Sequence, residues 1–334
     1  MVTSPEFKTF HGSPSRAIQE GSYKSRELAP NEVLIRITYS GVCGTDLHGL
    51  ESGMVLGHEG VGVVEAFGEG IRGVWKVGER VGFGYVKDGC GVCEFCLVGA
   101  HMHCINSARF YSGTDLDQGS FATHAIWPET LIHRVPEGLS DAEAAPLFCA
   151  GQTVFVPLLK YVKPGDRLGV VGIGGLGHLA IQFASKWGCE VVAFSGTNKK
   201  KDEALALGAT EFVVTKGVEG LVVDHKLDHL FVTTSQHPKW EPYMDVMKPF
   251  GNIYPLTVST EDLVIPFLPF LLKEISFVGS CTSTPASVDK MLEFASFHGV
   301  KPILEEFPLS VDGVTEALRR LQAGEVRYRG VLKA

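Results

Sequence analysis

The sequence has no apolar run near the roughly 20 residues that a bilayer-crossing helix requires. It has no surplus of positive charge: 30 Lys and Arg stand against 38 Asp and Glu, a formal net charge of −8. That balance disfavours nucleic acid or an anionic membrane as a partner. The opening MVTSPEFKTFHGSPSR lacks the positive-then-apolar order of a secretory leader, so a cytoplasmic protein is expected. There is no internal repeat and no low-complexity segment. At 334 residues, 45% hydrophobic and 20% charged, the composition suits a globular chain long enough for two domains.

Clustered cysteine and dense glycine are what the chain does have. Four of its eight cysteines fall in CGVCEFCLVGAHMHC, with Cys90, Cys93, Cys96 and Cys104 spaced C-x2-C-x2-C-x7-C. In a reducing compartment such a cluster reads as a metal site rather than as disulfides. Four thiolates suit a structural zinc; an iron–sulfur cluster is the rival. His101 and His103 lie inside the same loop and are expected at the surface, because four sulfurs already fill a tetrahedral shell. Upstream, GVCGTDLHGLESGMVLGHEG holds further metal-capable groups: Cys43, His48, His58 and Glu59.

Two patterns divide the chain. Glycine-separated β-branched runs between 41 and 119 predict a mainly β region with metal loops. From about 164, strands alternate with helices. DRLGVVGIGG runs from a buried strand into a glycine turn, and GLGHLAIQFASKWG shows helical spacing with Gly188 as its stop. EVVAFS, EFVVT and LDHLFVTT read as further strands. The alternation predicts an α/β fold with a parallel sheet over 150–284. The tail carries an amphipathic helix (Val288, Met291, Leu292, Ala295) and another over 312–323, and is expected to return to the first domain.

The glycine turn fits a G-x-G-x-x-G dinucleotide fingerprint at Gly172, Gly174 and Gly177, with Gly175 and Leu176 inside it. The strand before it and the helix after it give the pattern meaning. Gly172 allows the tight turn, Gly174 lets backbone approach a pyrophosphate, and Gly177 lets the helix pack on the strand. At the end of the next strand an acid would select NAD(H). Here stand Ser195, Gly196 and Thr197, followed by Lys199 and Lys200, which favours NADP(H).

The order of these motifs, with QGSFATHA, AAPLFCAGQTVF, ALGAT and VRYRGVL, resembles the zinc-dependent medium-chain alcohol dehydrogenases, most closely the cinnamyl-alcohol-dehydrogenase-like branch that uses NADP(H). The resemblance runs from near residue 33 to the end. It implies a doubly wound Rossmann sheet (150–284) beside a mainly β, GroES-like catalytic domain (1–149 with 285–334). It implies two zinc ions per subunit: a catalytic one on Cys43, His58 and Cys149, and a structural one on Cys90, Cys93, Cys96 and Cys104. Cys149, far along the chain, would fit a site closed between the two domains. Glu59 would be an alternate zinc ligand, Thr45 and His48 a proton relay, Thr153 a nicotinamide contact and Arg329, or its neighbour Arg327, a pyrophosphate contact.

The segment between His48 and Gly57 is shorter than the family's. Fourteen residues between Cys43 and His58 still span far more than two ligands on one ion require. What shortens is pocket wall, so an open substrate site is expected, with Leu50, Met54 and Phe110 or Tyr111 as lining. The reading is an NADP(H)-dependent aldehyde reductase acting on an aromatic or α,β-unsaturated aldehyde, or on the corresponding alcohol. A reductase of C=N or C=C bonds on the same fold is one rival. A non-catalytic NADPH-binding redox sensor or structural protein is the other. The family also implies a homodimer joined through sheet edges, for which EDLVIPFLPFLLKEISFVGS is apolar enough.

Overall fold

Apolar positions crowd one eleven-residue run, EVLIRITYSGV, and it becomes the hub of the first sheet, Glu32–Val42. Gly60–Phe67, His124–Pro128 and Arg329–Lys333 all pair with it antiparallel. Leu304–Pro308, Arg80–Phe83 and His133–Arg134 extend the sheet to seven strands. Val33, Ile35 and Ile37 of the hub pack with Val64, Val81, Phe83 and Trp127 in a fully buried cluster. The computed structural model describes residues 2–72 and 74–334.

The chain forms two units, Met1–Gln152 with Thr282–Ala334, and Thr153–Cys281. The exchange points expected from sequence were 149/150 and 284/285, a few residues away. The tail belongs to the first unit because its strand Arg329–Lys333 takes up the free edge of Glu32–Val42.

In the second unit six strands lie parallel, in the spatial order Glu211–Val214, Glu190–Ser195, Arg167–Val171, Leu227–Val232, Met247–Pro255, Ser276–Phe277. Numbered from Arg167–Val171, that order is 3-2-1-4-5-6, the doubly wound arrangement that places a dinucleotide where the strand order reverses. Arg167–Val171 is buried along its whole length, as a parallel strand covered on both faces should be. The helix Gly177–Trp187 follows and stops at Gly188, whose φ of 97° is left-handed. Among the described residues, no single helix is long and apolar enough to cross a membrane.

Candidate active site

Three short pieces of the first unit build the metal-capable group. Cys43 directly follows the hub strand and caps the short helix Gly44–His48. Asp46, at its third position, accepts a hydrogen bond from the Cys43 amide at 2.9 Å and so fixes the cysteine backbone. His58 and Glu59 precede the strand Gly60–Phe67. Gly57 has φ +91°, and a Cβ there would lie 2.4 Å from the Phe121 ring, so only glycine turns the chain toward His58. Cys149 follows the 3₁₀ turn Ala145–Phe148. One ligand atom each from Cys43, His58, Glu59 and Cys149 lies within 4.8 Å of every other. All four belong to one unit, as the domain bounds read from the sequence implied.

These donors fit zinc. The Cys43 and Cys149 sulfurs stand 3.8 Å apart. Two sulfurs at ~2.3 Å from a tetrahedral zinc are separated by roughly that distance. His58, 1% exposed, directs Nδ1 at Asp46 Oδ1 (3.0 Å). A carboxylate can only accept, so Nδ1 carries the proton and Nε2 offers a lone pair. Nε2 is buried with no hydrogen-bond partner, which is the state of an atom made to meet a metal. Hydrogen bonding from Cys149 holds the Cys43 thiol well below its ordinary pKa, while the same contact pushes Cys149 up.

Glu59 is wholly buried against Arg329, whose Nη2 contacts both carboxylate oxygens, Oε2 at 2.5 Å. Burial pushes the Glu59 carboxyl up to about 7 even against the pull of the guanidinium. Arg329 was expected at the pyrophosphate. Its side chain is instead committed to Glu59, because its strand runs beside the hub strand and turns it inward. Arg327 is exposed.

Thr45 is half-buried, with its hydroxyl 3.7 Å from the Cys43 sulfur, and His48 stands exposed at the end of the same helix. The expected pocket lining is corrected. Leu50 and Met54 point into the core with Phe10, Ile18, Leu56 and Phe121. The shortened loop is clamped there: the Leu56 amide donates to the Phe10 carbonyl, and Arg16 pairs with Glu51 at 2.9 Å. Tyr111 is likewise buried, its hydroxyl on Asp46. Sequence reasoning missed Tyr85, half-buried with its ring edge-on to His58 at 5.9 Å and stacked on Phe110. It also missed Asp46, although Cys43-x-x-Asp46 has the spacing of a capping box.

The four cysteines 90, 93, 96 and 104 also converge within 4.8 Å. Amide N–H groups of Cys90 and Ser107 donate to the Cys104 sulfur and bring its thiol down to about 5, which prepares it as a thiolate ligand. His103 is exposed, but His101 departs from expectation: it is half-buried, with Nδ1 enclosed and unpartnered.

In the second unit, Gly172 takes φ +87°. Gly174 has open space where a Cβ would stand, and Gly177 lies so near the Gly172 carbonyl that a Cβ would fall 1.9 Å from its oxygen. Gly175 and Leu176 complete the turn, Leu176 as helix cap. This backbone fits a pyrophosphate at the helix N-terminus. Ser195 ends its strand, with exposed Gly196, Thr197 and Lys199 after it. Lys200 does not stand free beside them: its ammonium donates to the Ile173 carbonyl at 2.6 Å, because the 3₁₀ turn Asn198–Lys200 points it back at the glycine turn. Thr153 lies in the helix Ala150–Tyr161.

A family model described as alcohol dehydrogenase GroES-like domain matches residues 29–137, and one described as zinc-binding dehydrogenase matches 175–296. The chain is 36% identical over 324 residues to the aldehyde reductase AdhA of Synechocystis sp., covering 94% of this chain and 95% of that relative. A solved structure of the cinnamyl alcohol dehydrogenase SbCAD4 from Sorghum bicolor matches with a TM-score of 0.88 at 31% identity, over 98% of this chain and 97% of that one. The CAD of Helicobacter pylori, solved in complex with NADP(H), matches with a TM-score of 0.86 at 25% identity, over 98% of each chain. With its two units and its converging cysteine–histidine group, the chain belongs to the zinc-dependent medium-chain alcohol dehydrogenases, in their cinnamyl-alcohol-dehydrogenase-like branch.

Proposed function

We propose that this protein is a zinc-dependent, NADP(H)-preferring aldehyde reductase, with aromatic or α,β-unsaturated aldehydes as its substrate class. The observation that carries the reading is the convergence of Cys43, His58 and Cys149, with the Nε2 lone pair of His58 left without a partner. When bound, zinc supplies Lewis acidity toward a carbonyl oxygen and the nicotinamide supplies hydride. The chain's own residues do the rest. Asp46 and the Cys43 amide hold the ligands in place, and buried Glu59 with Arg329 keeps a compensated charge beside them. Thr45 and exposed His48 form the route by which a proton reaches the reacting oxygen from water. Tyr85 and Phe110 set aromatic surface next to His58, which supports a flat, conjugated substrate. The lack of an acid at Ser195, with Lys199 exposed nearby, supports NADP(H). The relatives' names, an aldehyde reductase and a cinnamyl alcohol dehydrogenase, point the same way.

A metal assay combined with a screen of NADPH and NADH oxidation over aliphatic, aromatic and unsaturated aldehydes tests the reading. Two zinc ions per chain, faster NADPH than NADH oxidation and a preference for aromatic aldehydes are expected. Cys43→Ala should lose one zinc and all turnover above background. One zinc in the wild-type chain with no carbonyl turnover would overturn it.

We also infer a homodimer formed by the second unit. The helix Phe267–Leu272 exposes Phe267, Leu268, Leu271 and Leu272, with Val264 just before it, next to the edge strand Ser276–Phe277. So much apolar surface at a sheet edge suits a second copy of the same edge. Four of the eight cysteines gathered in one metal-capable cluster support a reducing, cytoplasmic setting.

A further inference from the structure

The tyrosine that sequence reasoning placed in the substrate pocket has another task. Tyr111 is 2% exposed. Its hydroxyl donates to Asp46 Oδ1 at 3.0 Å and accepts the Gly57 N–H at 3.0 Å. Its ring lies 4.9 Å from the His58 ring at 31°. Asp46 Oδ1 also receives His58 Nδ1, and Asp46 Oδ2 receives the Cys43 amide.

Each of these bonds has a forced direction. An amide N–H can only donate and a carboxylate only accept, so the hydroxyl takes its proton donor from Gly57 and gives its own proton to Asp46. Asp46 then has its Oδ1 fixed from two sides and holds Nδ1–H of His58 in one tautomer and one ring plane. Gly57 is the residue before His58, so the same hydroxyl also pins the backbone from which the ligand projects. The Tyr111 segment is anchored in turn: its amide donates to the Tyr85 carbonyl at 2.8 Å, and Val86–Asp88 pairs with Arg109–Phe110.

We propose that Tyr111 is a positioning residue for His58, acting through the Asp46 carboxylate, and that it sets how firmly the Cys43–His58–Cys149 group holds its metal. Supporting groups behind a histidine ligand fix its tautomer and orientation, and their loss weakens metal binding by about 10–100-fold. Tyr111 stands one step further out than Asp46, and its removal also leaves a buried amide and a carboxylate oxygen each short of a partner. The inference rests on the metal-site reading given above.

The test is Tyr111→Phe, which removes one oxygen and keeps the ring. The protein is loaded with zinc, and release from each site is followed against a chelator. A cobalt-loaded sample gives the ligand-field spectrum of the first site. Tyr111→Phe should release that metal about tenfold faster and shift the cobalt spectrum, while the metal on Cys90, Cys93, Cys96 and Cys104 stays put and reports an intact fold. In an Asp46→Asn background the added effect of Tyr111→Phe should shrink several-fold, because the relay is already cut. Metal release and spectrum unchanged in Tyr111→Phe, even with a lowered melting temperature, would make the tyrosine merely structural and overturn the inference. An undiminished effect in the Asp46→Asn background would overturn the route through Asp46. Wild-type protein holding metal only on the four cysteines would overturn the metal-site reading and this inference together.

Discussion

At position 177 a hydrogen atom is all that fits. The Cβ of an alanine would meet the Gly172 carbonyl oxygen at 1.9 Å, and backbone cannot swing aside as a side chain can. Gly177→Ala should therefore cost about 1–3 kcal/mol of stability, as overpacking does. Gly174 is the control, because no atom lies within 4 Å of its added methyl. Gly174→Ala should melt like the wild type without cofactor, yet bind NADPH at least tenfold more weakly. Thermal melts with and without NADPH separate the two cases, and equal behaviour of the two variants would sink the assignment of this turn. At this scale the sequence was legible where a residue type is rare and its neighbours are close in the chain. Cys43, His58, the four clustered cysteines and the three glycines all announced themselves. Lys200 and Arg329 did not. Each is a long cation that sequence assigned to a phosphate, and each is claimed by a protein oxygen, the Ile173 carbonyl or the Glu59 carboxylate. Tyr111 was noticed for its ring, while its hydroxyl meets Asp46 across 65 positions of chain, a contact that no local pattern encodes.

Among the elements, the loop from Arg109 to Gln118 carries Tyr111, and one of its anchors is a carboxylate. Asp115 accepts from Arg109 Nε at 2.9 Å and faces Lys87 at 3.2 Å. Burial opposes ionisation of Asp115, yet the hydrogen bond from Arg109 and the charge of Lys87 keep it below its ordinary pKa. A carboxylate with a depressed folded pKa adds stability above its unfolded value, about 3.9, and that stability disappears as pH falls through the folded value. The stability gap between wild type and Asp115→Asn should thus be full above about pH 5 and narrow steadily below about pH 4. Urea unfolding at a series of pH values measures it; a gap independent of pH would reject the clamp. The loop over 49–56 shows what was harder to read at this scale. Its shortness was plain, and an open pocket wall was the natural expectation. The structure spends Leu50, Met54 and Leu56 on the core beneath the strand Phe7–His11, a pairing with the beginning of the chain that spacing alone does not reveal.

For the molecule as a whole, strand and helix alternation was enough to predict a parallel sheet, because each βαβ unit repeats a local pattern. That the first unit is closed by residues from both ends of the sequence was inferred from the tail's lack of a glycine turn. Its physical cause, the strand Arg329–Lys333 filling the edge of Glu32–Val42, is a long-range pairing. The apolar helix Phe267–Leu272 was equally compatible with a buried core, and its exposure emerged only from the fold. If it seats a second copy, charge on that face should split the pair. Leu268→Glu with Leu272→Glu should shift sedimentation from dimer to monomer while NADPH binding persists; a wild-type monomer, or a dimer unmoved by both charges, would rule out this face.

The pairing of Glu59 with Arg329 also bears on the order in which the protein is made. Cys43, His58, Glu59 and Cys149 leave the ribosome before the whole of 153–281, and Arg329 leaves after it. Through that interval a nascent chain already holds every thiol and imidazole of the site, but Glu59 has yet to meet the guanidinium it pairs with. The buried Glu59–Arg329 pair can form only once the strand Arg329–Lys333 is synthesised and docks on Glu32–Val42, so a segment made after the whole of 153–281 completes a centre begun near residue 43.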